Sequence, residues 1–103
     1  MLSNKDYCDY ETCVALEELG FPIRRIKVKG KEKNVPILLY EAQKFLREKK
    51  NLHIEITYSP ACWTGKIYDL KKWDYIKGFT FFESFEDTLH TLIKESVKIL
   101  KVK

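Results

Sequence analysis

Apolar residues recur along this chain at two spacings, and the changes from one to the other mark its elements. Tyr10, Cys13, Val14 and the stretch from Leu16 to Leu19 make a helical stripe, with Glu17 and Glu18 on the wet side. Asp9 is placed to cap that helix, Gly20 to end it in the left-handed conformation and Pro22 to forbid its continuation; the prediction is a helix over 9–19. Residues 1–8 read as a flexible arm ahead of it. Ile23, Ile26 and Val28, set among Arg24, Arg25, Lys27 and Lys29, predict a short strand over 23–29 at a sheet edge. A lysine-rich turn between Gly30 and Asn34 and an extended connector over 35–38 follow it, the latter because Pro36 keeps Val35 extended.

The next two elements give the clearest local signal, over 35–58, and the expected centre of the core. Leu39, Ala42, Phe45 and Leu46 share one helical face, while Glu41, Lys44, Arg47 and Glu48 take the other. Asn51 suits a left-handed C-cap, but Leu38 stands where a polar N-cap is expected. Leu52, Ile54, Ile56 and Tyr58 then alternate with His53, Glu55 and Thr57, the pattern of a half-buried strand. Ser59 and Pro60 end it. Return strands are predicted over 63–70, with Gly65 at a bulge or a close backbone approach, and over 75–82. Ser84 caps a last helix whose stripe runs through Phe85, Leu89, Leu92, Ile93, Ser96, Val97 and Leu100, with acidic residues at its start and lysines toward its end. The expected fold is α+β in the order α-β-α-β-β-β-α: a three-stranded antiparallel meander, 23–29 as an added edge strand, and helices packed on one face.

Composition narrows the setting. With 103 residues, 45% hydrophobic and 33% charged, the chain is expected to form one domain with its own core. The net charge of +4 comes from 19 basic and 15 acidic residues spread along the chain, which by itself does not point to nucleic acid. No apolar run is long enough to span a bilayer, and the polar, acidic start lacks the basic and apolar parts of a signal peptide. Cys8, Cys13 and Cys62 make an odd count, for which reduced thiols and a cytoplasmic location are expected.

Candidate chemistry is sparse. Cys8 with Cys13, and His53 with Glu55, are the nearest things to metal-ligand pairs, and a structural zinc site wants two closely spaced pairs. Cys62 follows Pro60 in a loop and has His53 across the hairpin, yet no oxyanion-hole loop or third group accompanies them, and a small thiol packed beside Trp63 is the better account. Glycine-rich phosphate loops are absent. The expectation is a non-catalytic protein with no cofactor and no metal. For binding, the candidates are Arg24, Arg25, Lys27 and Lys29, continued by Lys31 and Lys33 with Glu32 alone against them, and the loop-side Trp63 and Trp73. Lysines on an edge strand also guard against edge-to-edge pairing, and that reading is preferred for 24–33. The expected partner is another protein, with nucleic acid as the alternative and no membrane; the oligomeric state is left open.

Three resemblances bear on this. The helix–three strands–helix order over 39–101 is similar to the double-stranded-RNA-binding domain, but Glu83, Glu86 and Asp87 stand where that module places lysines for phosphate. The strings ETCVALEELGF, LYEAQKFLREKKNLHIEI, WTGKIYDLK and FESFEDTLHTLIKESVKIL resemble a group of small proteins encoded by prophages and mobile elements of gut-type bacteria. That resemblance covers most of the chain, departs at Leu38 and in the basic 24–33 segment, and implies a fold and a genomic setting but no reaction and no site residues. More loosely, strands leading into the SFEDTLH helix resemble HicB-like antitoxins.

Overall fold

A computed structural model describes residues 4–102, apart from the side chains of Asn4 and Phe81. Its elements are α1 (Tyr10–Glu18), β1 (Arg25–Val28), β2 (Lys31–Asn34), α2 (Leu39–Lys50), β3 (Leu52–Tyr58), β4 (Trp63–Asp69), β5 (Asp74–Phe82) and α3 (Phe85–Val102). The class is that expected, α+β with an antiparallel β3-β4-β5 meander, and the elements follow the expected order with β2 added after β1. No described helix is long and apolar enough to cross a membrane.

The helix ends follow from local chemistry. Thr12 N–H donates to the Asp9 carboxylate at 2.8 Å and caps α1. Its far end closes as a Schellman motif: Gly20 N–H reaches Glu17 and Phe21 N–H reaches Leu16, with Gly20 at φ +105°. At α2, Leu38 supplies no side-chain cap, and the Glu41 carboxylate compensates by accepting the Leu38 N–H at 3.2 Å. Asn51 ends that helix at φ 58°. Asp87 N–H donates to Ser84 Oγ at 3.1 Å at the start of α3.

One face of the sheet carries the core. Leu52, Ile54, Gly65 and Ile67 are buried there under α2 and α3, joined by Leu46, Leu89, Leu92, Ile93 and Val97; α1 adds Ala15 and Leu16 from its place against α3. The buried hydroxyls on α3 are satisfied within the helix, Thr88 donating to Ser84 and Ser96 to Leu92, both at 2.8 Å. Gly65 sets how closely α3 seats. A Cβ there would lie 2.0 Å from Leu92 Cδ1 and 3.0 Å from Thr88 Cγ2. The bulge and the close approach anticipated at Gly65 are both present, since the β4–β5 register shifts between Trp63 and Gly65.

Two expectations need correction. Of the expected arm, residues 1–3 lie outside the described residues, but the rest is docked: Asn4–Asp6 forms a 3-10 turn, Tyr7 bridges Leu38, and buried Cys8 donates its N–H to Ile37 at 2.8 Å. Cys8 and Cys13 take the two positions of a hydrophobic staple around the α1 cap, which is what holds the segment down. Secondly, the strand at 23–29 does not join the meander as an edge. It begins at Arg25 and pairs with a second strand, β2, where a turn was expected.

Candidate functional site

β1 and β2 form a two-stranded ribbon of their own, in the register Arg25–Asn34, Ile26–Lys33, Lys27–Glu32 and Val28–Lys31. The two-residue loop has Lys29 at φ 53° and Gly30 at φ 79°, the signature of a type I′ turn that matches strand twist. Every residue from Arg24 to Asn34 is exposed, Ile26 at 52%. A two-stranded hairpin without a buried face is marginal in water, so this one depends on its base. There, Arg24 donates to both Glu41 oxygens at 2.8 and 3.0 Å, Arg25 lies 3.8 Å from Glu17 and bonds Asn34, and Val35 N–H donates to Arg24. Lys27, Lys29, Lys31 and Lys33 stand beyond that base, and none of them has a carboxylate within ion-pair distance among the described residues.

The six residues singled out from the sequence therefore separate. Arg24 and Arg25 are anchors of the ribbon, Lys27 and Lys29 are its free charges, and the tryptophans lie on the meander. Trp63 is half-buried at the start of β4 between Tyr58, 4.9 Å away, and Phe85, 5.6 Å away. Trp73 is 88% exposed in the turn beyond the other end of that strand. The two do not form one patch, because a seven-residue strand holds them about 20 Å apart.

The remaining polar candidates also have definite places. His53 pairs with Tyr68 near the start of β3, whereas Cys62 sits in the turn past Tyr58, its Sγ 3.6 Å from Ser59 Oγ. About five residues of ladder, roughly 16 Å, separate that thiol from the only base proposed for it. Cys8 and Cys13 line an apolar groove of about 190 Å³ with Val14, Ile23, Val35 and Pro36. Burial, with the nearby Asp9 and Glu41 charges, pushes the Cys8 thiol up to about 12, and burial raises Cys13 as well, so both stay protonated and unreactive. Among the described residues no three His, Cys, Asp or Glu side chains come together as metal ligands.

His90, which stands alone in the sequence, has partners in space. Its Nε2 accepts the Asp9 N–H at 3.3 Å, and Lys94 Nζ lies 2.8 Å from the Asp9 carboxylate, tying α3 to the cap of α1. Partial burial opposes the Asp9 charge, but hydrogen bonds from Lys94 and Thr12 outweigh it and hold that carboxyl well below its usual range. Burial, with the Lys94 charge, lowers His90 against the opposing pull of Asp9 and Asp87. The cluster is structural: each polar group already serves a cap or an ion pair. The only sequence signal for it was the i, i+4 spacing of His90 and Lys94.

Compared with known proteins, the chain matches no family model, no curated protein and no solved structure.

Proposed function

We propose that this protein is a non-catalytic binding module whose contact element is the β1–β2 ribbon, and that the ribbon's ligand is double-stranded DNA. The observation that carries this reading is the division of labour along the ribbon: the arginines at its base are spent on Glu41 and Glu17, and the lysines beyond them have no carboxylate partner among the described residues. Both strands of the ribbon are edges, where lysines also oppose edge-to-edge pairing; a variant that stays monomeric but no longer binds duplex separates the two roles. A two-stranded ribbon fits the B-DNA major groove, about 12 Å wide, and lysines on both of its faces and at its tip would meet phosphates on either wall. Ile26 and Val28, on one face opposite Lys33 and Lys31, offer apolar contact to base methyl groups.

The genomic setting proposed with it is a prophage or mobile element, on the resemblance of the strings quoted above. A labelled duplex retarded on a native gel at low salt, with retardation lost in Lys27→Glu with Lys31→Glu, is the expected result. Arg24 is left intact in that variant because its removal would release the ribbon from α2. A duplex that runs free at low salt, or equal retardation by the variant, would refute the reading.

A further inference from the structure

The three helices leave one face of β3-β4-β5 uncovered. His53, Glu55 and Thr57 of β3 point to it, with Thr64, Lys66 and Tyr68 of β4 and Tyr75 of β5. Across the strands at one end runs a row of rings, His53, Tyr68 and Tyr75, with centroids 6.4 and 5.9 Å apart. Tyr75 does not stand up from the sheet. Its hydroxyl lies where a Cβ on Gly78 would be, at 2.5 Å, so the ring is laid along its own strand and shows a face to solvent, 58% exposed.

The row ends in a turn with an unusual occupant. Asp69 accepts the amides of Lys71 and Lys72 at 2.9 and 3.2 Å and folds the loop tightly. Its last residue must take a positive φ, a position suited to glycine or asparagine, and here it is Trp73 at φ 59°. A bulky aromatic held in that region and left in water is strained and displayed together. Lys66 stands on this face across from Glu55, and Lys71 and Lys72 are exposed in the turn, where their backbone amides hold the Asp69 carboxylate. With Asp74 beside Asp69, three lysines and three carboxylates lie along this end of the sheet. Pairing with another strand is the weaker use of this sheet, because register shifts at two places interrupt β5, and Gln43 donates to the Ile54 carbonyl at the edge of β3.

We propose that this face binds single-stranded nucleic acid, with bases stacked on Trp73, Tyr75 and Tyr68 and phosphates met by Lys66, Lys71 and Lys72. Stacking uses the one feature all bases share, a flat π face, and so needs no sequence-specific donors. The inference rests on the nucleic-acid reading above but on different residues, which lets the two fail separately. Its ligand class adds to that reading: a strand opened beside a duplex would engage both surfaces.

The test uses Trp63→Phe, which leaves Trp73 as the sole tryptophan. Titration with a short oligothymidylate at low salt is expected to quench its emission to saturation. Trp73→Ala and Tyr75→Ala, each in the otherwise unchanged protein, are expected to weaken labelled oligothymidylate about tenfold, with Trp73→Phe recovering part of the loss and duplex retardation unchanged. Unquenched Trp73 at saturating strand, or wild-type affinity in both alanine variants, would overturn the proposal while leaving the ribbon reading intact. A concentration-dependent blue shift of Trp73 without nucleic acid would overturn it in favour of a second copy on this face. Binding of neither strand nor duplex at low salt would end both.

Discussion

At the scale of single residues, Gly65 and the Asp9–His90 pair control the packing of α3. Gly65→Ala forces Leu92 or the β4 backbone to move, an overpacking cost of about 1–3 kcal/mol. Urea unfolding should show it as a lower midpoint with an unchanged slope. His90 is held below its ordinary 6.5, so below that pH the unfolded chain takes up a proton the folded one resists, and stability falls. The lowered Asp9 carboxyl acts in a second window: its contribution is present above the ordinary 3.8 and is lost as pH drops below it. Midpoints measured from pH 7 to pH 3 should therefore decline in two stages, His90→Gln flattening the upper one and Asp9→Asn reducing the lower. These contacts span 81 positions, which is why a local reading of the chain leaves His90 unpartnered.

At the scale of elements, the ribbon is separable from the core. Lys29→Asn places a residue tolerant of positive φ in the type I′ turn, and slower amide exchange across β1 and β2 is expected with no change in the unfolding midpoint. Gly20→Ala, by contrast, strains the α1 Schellman cap and should lower the unfolding free energy by about 1 kcal/mol, seen as a lower midpoint. The helices and the meander were legible in the sequence because their ends carry their own chemistry, Asp9, Gly20, Asn51 and Ser84, and because Leu52–Tyr58 alternates over a buried face. The strand Lys31–Asn34 was not legible. Period-two hydrophobicity records burial of one face, and a strand reading KEKN with both faces in water leaves no such record. The same reason hid the placement of Trp63 and Trp73, since one aromatic beside a turn reads like another until the fold decides which of them packs.

At the scale of the molecule, the structure is a compact α+β core that carries two uncovered surfaces of different kind, a lysine-bearing ribbon and an aromatic sheet face. The molecule's principal extents are 47, 32 and 19 Å, and the ribbon's four lysines take part in none of the ion pairs found among the described residues. If the ribbon lysines neutralise phosphates as proposed, duplex affinity must fall with salt, and fluorescence anisotropy in the wild-type protein and in Lys27→Glu with Lys31→Glu measures by how much. Four neutralised phosphates predict a slope of log K against log salt of about −3 to −4, and the variant should reduce its magnitude by about 2. A slope near zero, or the same slope in both proteins, would contradict phosphate binding by the ribbon.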